Sequence, residues 1–409
     1  MKTNNSTTET TDHQITSTID PPTLVDVKET VTANFDDRTW EATEAVLAAH
    51  STLLLQDNSC VGLVLTGPSG SGKTTVLRFF EELDEMFYRT DDVTPASFVS
   101  HDASKKDETL EEIDLLPRIK QKSLLALDLS NWFAGEEESI TKRMAVMTNV
   151  LDGEGYTRDT GTHGQRGYTG SEYRFNFIGA TTPLAPRAWR VMGSVGNRLV
   201  FYERPGTTDS STVVDDVVEG SPYDEKVAQC QNVVQAFLLN LWEQSGGPGS
   251  KNWNSPTSAE IKEILGYLMT IITHGRAPVF DDRPRYEGAH RITSTLWAIA
   301  RGHALLDGRS FVNSADLQVC ARIALSTIST KRRDVVRGLL NPANGGTLTA
   351  SEVERLAGVT RPTAHERMRT LVTLEFATFV DMTEDGRAPK VIELMDDLEW
   401  PESLTFPEF

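Results

Sequence analysis

The sequence predicts an α/β fold, a parallel sheet with helices on both faces, followed by a helical region and a small C-terminal module. Three observations carry this. Short apolar runs alternate with helical stretches through the first half of the chain. One of them, Val61 to Leu65, breaks straight into a glycine-rich turn at Gly67. Beyond about residue 336 the pattern changes to short helices and a hairpin.

Taken in order, residues 1 to about 22 are rich in Thr, Ser and Asn, which predicts a disordered tail ended by Pro21 and Pro22. Trp40, Ala42, Ala45, Val46, Leu47, Leu53 and Leu54 have the spacing of a helix from about Trp40 to Leu55. Val61–Leu65 reads as a buried parallel strand. Ala96–Ser100, Ser123–Asp128, Phe175–Thr181 and Arg198–Tyr202 read as further strands. A polar break from Pro205 to about Asp224 leads into a helical region ending near 335. Inside it, Gly246–Ser258 is a Gly, Ser and Pro-rich loop.

A chain of 409 residues fits two or three domains of roughly 150 residues each. Forty Lys and Arg against 59 Asp and Glu give a net charge of −19. That balance excludes a protein that coats nucleic acid or anionic membrane with its whole surface, so any DNA contact must be a local basic patch. Of the cations, 13 are Lys and 27 are Arg, a composition that fits a high-salt cytoplasm or an ordinary acidic protein. No run approaches the ~18 to 20 apolar residues of a membrane span. The N-terminus has no apolar h-region, so a cytoplasmic protein without a signal peptide is expected. Cys60, Cys230 and Cys320 are too scattered for a disulfide framework or a zinc cluster.

Gly67-Pro68-Ser69-Gly70-Ser71-Gly72-Lys73-Thr74 matches the phosphate-loop pattern G-x-x-x-x-G-K-[ST] in full, between a strand and a helix. Its glycines let the backbone curl until the N–H groups face phosphates, and the next helix adds positive partial charge at its N-terminus. Lys73 would reach the β- and γ-phosphates, the Thr74 hydroxyl would ligate Mg²⁺, and Thr75 completes the nucleotide-binding set. An apolar strand ending in an acid should hold the metal's water shell, and Ser123–Leu129 supplies Asp128. P-loop ATPases usually carry a second acid beside the first, but here the neighbour is Leu129. Asp128 therefore either binds metal with no adjacent base or takes the base position itself. A third strand, ending at Thr181, would read the γ-phosphate; alternatively Thr181 and Thr182 cap a turn.

The order of phosphate loop, acid-tipped strand, polar-tipped strand and arginine resembles the AAA+ ATPases over residues 40 to 330. The resemblance implies ATP with Mg²⁺ as cofactors and a P-loop ATPase domain at 23–215. It implies that Arg198, in Gly193-Ser-Val-Gly-Asn-Arg198, is an arginine finger reaching a neighbouring subunit in a ring or filament. The region 216–335 resembles the helical lid of MoxR-type and minichromosome maintenance ATPases, which implies that Arg291 is a sensor-2 arginine. Lys73, Asp128, Thr181, Arg198 and Arg291 thus make up the expected catalytic set.

Between acid and sensor, Gly153 to Tyr168 is rich in Gly, Thr, Tyr and Arg, which suits a β-hairpin with His163 and Arg166 at its tip. It resembles the pre-sensor hairpin of DNA helicases. Arg158 and Arg166 would then meet phosphates while Tyr156 and Tyr168 stack on bases; the alternative is a solvent-exposed insertion. In the segment 336–409, Thr349-Ala-Ser-Glu352 is a capping box, Gly358-Val-Thr360 a turn, and Arg361 to about Leu374 a second helix capped by Thr360. A hairpin around Asp385-Gly386 would make the module a winged helix. Residues 331–372 hold eight Lys or Arg and four Asp or Glu, a local excess of four positive charges. Arg361, Thr363, His365, Arg367 and Arg369 are the candidate DNA contacts. The expected function is an ATP-hydrolysing protein acting on DNA, self-associating and with no membrane role. The alternatives are a remodelling chaperone with a protein partner and a nucleotide-gated DNA-binding switch.

Overall fold

The computed structural model describes residues 20–57, 59–100, 107–160, 164–196, 198–206, 214, 218–380 and 390–409. Most of the expected tail, His163 and the Asp385-Gly386 turn lie outside the described residues. The chain opens with α1 (Leu24–Asn34) and α2 (Asp37–Ser51), the latter started by the Asp36 carboxylate accepting from the Thr39 N–H at 2.6 Å. There follow β1 (Gly62–Thr66), α3 (Lys73–Arg78), β2 (Phe87–Thr90), α4 (Pro95–Phe98), α5 (Asp107–Ile113), α6 (Leu115–Ile119) and β3 (Ser123–Ala126). Then come α7 (Ser130–Phe133), α8 (Glu137–Val150), β4 (Gly155–Thr160), β5 (Gly164–Thr169), β6 (Asn176–Thr181), α9 (Pro186–Val195) and β7 (Leu199–Glu203).

β1, β2, β3, β6 and β7 form one parallel sheet in the order β2-β3-β6-β1-β7. The period of two along each strand sends alternate side chains to two apolar cores. Leu63, Leu65, Leu125, Ile178, Ala180 and Val200 join the core under α2 and the later helices. Val64, Leu124, Phe177, Leu199 and Phe201 join the opposite core under α8 and α9. Helices therefore cover both faces, as the apolar strands require.

The expected strand Ala96–Ser100 is instead the single helical turn α4. Pro95 pre-sets its first φ, and Thr94 and Ser97 exchange a capping pair. The edge strand is β2, which the sequence reading missed. Only Phe87 of its four residues is buried, so Phe-Tyr-Arg-Thr carries no apolar run.

The second half contains α10 (Tyr223–Ser245), α11 (Ala259–Arg276), a minimal hairpin of β8 (Val279–Phe280) and β9 (Arg283–Pro284), α12 (Ala289–Leu306), α13 (Ser314–Ser326) and α14 (Thr330–Leu340). The boundary expected at 335–336 falls inside α14. After it come β10 (Thr347–Thr349), α15 (Ala350–Ala357), α16 (Arg361–Thr373), β11 (Ala377–Val380) and β12 (Val391–Leu394), with an antiparallel sheet in the order β10-β12-β11. The capping box is present: Thr349 Oγ1 accepts from the Glu352 N–H at 3.3 Å, and Glu352 accepts from the Thr349 N–H at 2.7 Å. Thr360 stands at the N-cap of α16 but makes no side-chain capping bond; its hydroxyl faces that of Thr363 at 3.4 Å. One apolar cluster runs from α1 through α10–α14 into Met368, Leu371 and Ile392, so the C-terminal module shares its core with the helices before it.

α12 is locked to α2 by His303. Its Nδ1 lies 2.7 Å from Asp316 of α13, and its Nε2 lies 3.4 Å from Glu44 of α2. Burial alone would push the imidazolium pKa down, but hydrogen bonds to the two carboxylates outweigh it and raise it to about 9. A raised histidine pKa stabilises the fold fully below the unfolded value of 6.5 and loses that contribution as pH climbs through about 9. The thermal midpoint should therefore fall across this window, and His303→Gln should flatten the fall. An equally steep fall in the variant would remove His303 as its cause.

Candidate functional site

β1 ends at Thr66, and residues 67–72 turn back over the C-terminal edge of the sheet before α3 starts at Lys73. This edge is where open parallel sheets bind ligands. The turn has two demanding positions. A Cβ on Gly67 would lie 2.1 Å from the Arg204 carbonyl oxygen. Gly72 has a φ of +79°, and a Cβ there would meet the Arg204 guanidinium at 2.9 Å. Pro68, Ser69, Gly70 and Thr74 are exposed, Thr75 is half-exposed, and Ser71 and Lys73 are buried. The Lys73 ammonium donates to the carbonyls of Gly67 (2.8 Å) and Pro68 (2.7 Å) and to the Ser71 hydroxyl (3.2 Å). Burial and the nearby Arg204 lower its pKa, while the Asp128 carboxylate pulls the other way, which places Asp128 within electrostatic reach of the loop. α3 has only six residues, so its dipole is short and the loop amides and cations carry most of the attraction for an anion.

Thr181 ends β6 directly beside Thr66, in register with it, and is buried. Asp128 lies just past β3, one strand further out, and accepts from the Ser130 N–H at 2.8 Å. Leu129 is 1 % exposed, and its side chain fills the space a Cβ on Gly179 would need, at 2.3 Å. A carboxylate at 129 would point into the core, so the position that lacks an acid is not one aimed at the loop. Thr74 and Asp128 are the residues that could hold a Mg²⁺ together with phosphate oxygens. The loop fits such a group: its glycines clear the backbone for phosphates, and the Asp128 carboxylate is close enough to act on Lys73. Among the described residues no three His, Cys, Asp or Glu side chains converge on a metal position.

Arg204 is the residue that the sequence reading missed. It follows β7, and its backbone N–H donates to the Thr66 carbonyl at 2.7 Å. Its buried guanidinium donates to the Ser71 carbonyl and, at 2.7 Å, to the Thr39 hydroxyl, and lies 3.6 Å from Asp36. It thus ties the loop to the start of α2. Arg-Pro after an apolar strand was the available signal, but only the fold brings it under the loop.

Arg198 lies at the other edge. It precedes Leu199, which pairs with Gly62 at the start of β1, whereas the loop follows Thr66. Five residues of strand span about 13 Å, so Arg198 cannot reach the loop of its own chain. It donates to Asp152 at 2.8 Å and to the Gly196 carbonyl at 3.1 Å. Arg291, half-exposed at the start of α12, meets the same Asp152 at 3.5 Å. The two arginines expected at a γ-phosphate are therefore neighbours of each other and not of Lys73, held by an aspartate the sequence did not single out.

The hairpin forms from β4 and β5, with Arg158 opposite Arg166. Arg166 is not at its tip. It lies inside β5 and pairs with the fully buried Asp114 at 2.7 Å, and it also donates to the Ser100 carbonyl. Tyr168 donates to the same Asp114 at 2.7 Å, and Tyr156 and Tyr168 pack on the core below α8. Tyr168 is thereby tied to Asp114, and of the two arginines only Arg158 has no carboxylate partner among the described residues. On α16, Arg361 is held by Ser351 (2.7 Å) and Glu354 (3.0 Å), His365 is half-buried and Arg369 is exposed. Thr363 and Arg367 line a cleft against α9, the end of α11 and the start of α14. No protein-family model matches the chain, and no curated protein is significantly similar to it.

Gly67→Ala should cost about 2–3 kcal/mol, because backbone cannot yield to its Cβ. Gly70→Ala meets no atom within 4 Å and should cost only the ~1 kcal/mol of its left-handed backbone. Urea unfolding midpoints compare the two; equal costs would mean that the Arg204 contact does not hold the loop.

Proposed function

We propose that the chain is a Mg²⁺-dependent, ATP-binding P-loop phosphohydrolase of AAA+ type that acts on DNA through self-association. One observation carries the reading: a full phosphate-loop motif stands at the C-terminal tip of β1, between β6 and β7, with Lys73 inside it, Thr181 beside it and Asp128 within electrostatic reach. The loop amides and Lys73 would neutralise the phosphates, Thr181 would contact the terminal one, and Asp128 would orient the attacking water or the metal's water shell. Mg²⁺ held by Thr74 and Asp128 would supply charge neutralisation on the phosphate oxygens.

Arg198 and Arg291 support a site shared between copies. Both stand at the edge of the sheet remote from their own loop, so a phosphate they reach must belong to another chain. The helix pair α15–α16 with its antiparallel sheet and excess of positive charge favours a winged-helix module and DNA as the partner. Leu129 favours a second reading, a nucleotide-gated switch with slow turnover: no carboxylate adjoins Asp128 to act as a dedicated base.

Lys73→Ala should abolish Mg-ATP binding, measured by titration calorimetry, with the fold intact by circular dichroism. Arg198→Ala should bind ATP normally and hydrolyse it at least tenfold more slowly. Mixing the two variants should restore part of the turnover, since each lacks a different half of a shared site. ATP binding unchanged in Lys73→Ala would sink the reading, and no recovery on mixing would sink the shared site.

A further inference from the structure

Four helices meet at one cleft of about 380 Å³. α9 contributes Trp189 and Arg190 to its wall, and the end of α11 contributes Arg276. The first turn of α14 adds Lys331 and Arg332, and α16 closes it with Thr363, Glu366 and Arg367. Five cations thus face one carboxylate, in a chain whose net charge is −19.

Two of the five are neutralised from outside. Arg190 pairs with Glu137 at 2.9 Å, and Arg276 pairs with Glu287. The other three are not. Lys331 is exposed and Arg367 half-exposed, and neither has a carboxylate partner among the described residues. Arg332 donates to the carbonyls of Ala277 (2.7 Å) and Gly275 (3.3 Å) and meets no carboxylate there. Burial pushes its pKa down to about 10. Buried charges are normally paired.

The hydroxyls of Ser329, Thr363 and Thr370 line the same walls and are the usual neutral partners of phosphate oxygens. The unneutralised positive charge is spread over two helices, Lys331 and Arg332 on α14 and Arg367 on α16. It forms a track, not a point. The volume suits a nucleotide-sized unit and is too small to enclose a duplex. We propose that this cleft holds the phosphodiester backbone of a single nucleic-acid strand, with Lys331, Arg332 and Arg367 as its phosphate contacts. The proposal rests on the nucleic-acid half of the functional reading and is independent of the nucleotide half.

The test is fluorescence anisotropy of the full-length chain with a labelled oligothymidine over a salt series. Lys331→Ala/Arg367→Ala should weaken binding at least tenfold and flatten the log–log salt slope by about 1.4, the value for two lost single-strand contacts. Lys142→Ala/Lys262→Ala, which removes the same charge from exposed helix surfaces elsewhere, should shift affinity less than threefold. Arg367→Lys should recover most of the loss. Thermal melting confirms that each variant is folded; Arg332 is left in place because it also braces the turn after α11. Equal weakening in both double variants would reduce the effect to net charge and overturn the proposal. Binding of inorganic phosphate or ATP lost in the cleft variant, with the strand bound as before, would make the cleft a small-anion site and overturn it too. Lys73→Ala should bind the strand as tightly as the unmodified chain when nucleotide is absent, so failure of the ATP reading leaves this result readable.

Discussion

Between the tips of β1 and β7 there is no room for a side chain. The Gly67 backbone passes so close to the Arg204 carbonyl that one methyl group would overlap it. That approach decides how the chain leaves the sheet. It forces the turn of 67–72 to rise over the edge, puts Lys73 back among the carbonyls of its own loop, and leaves Pro68 to Gly70 facing solvent. Thr181 and Asp128 then fall beside the loop because β6 and β3 stack outward from β1 in that order.

The parts of this arrangement written in local chemistry were legible in the sequence. Val61–Leu65 is apolar and ends in glycine, so strand, loop and helix could be placed from residue types alone. The capping box at Thr349 and Glu352 was equally local. What escaped was whatever depends on a neighbour remote in the chain. β2 is a half-polar edge strand recognisable only by its pairing with β3. Ala96–Ser100 has strand-like residues, but Pro95 turns them into a helix. The direction of Arg166 is set by Asp114, 52 residues away in the chain, and no spacing rule contains that. Arg204 and Asp152 gain their importance from the contacts they make across the sheet's two edges.

The preponderance of arginine over lysine also has a structural cause. Arg301 reaches Asp57, Arg309 grips Asp316, and Arg322 pairs with Glu41, each joining separate elements. Arg332 ties α14 to the end of α11 through the Gly275 and Ala277 carbonyls, and Arg276 ties α11 to β7 through the Leu199 carbonyl. A planar guanidinium with five donors can satisfy several acceptors at once, where an ammonium acts as a compact point charge. The chain uses these arginines as cross-links between elements.

Glu203 and Arg204 are consecutive, and on a strand consecutive side chains point to opposite sides. Arg204 holds the loop, while Glu203 is clamped at 2.6 Å by both Arg333 and Arg337 of α14, with the ring of Phe409 against the Arg337 guanidinium. One rigid peptide unit is thus anchored at both ends, like the pivot of a lever. The turn over β1 and the helix that carries the C-terminal module cannot shift independently: a tug on either is a torque on the other.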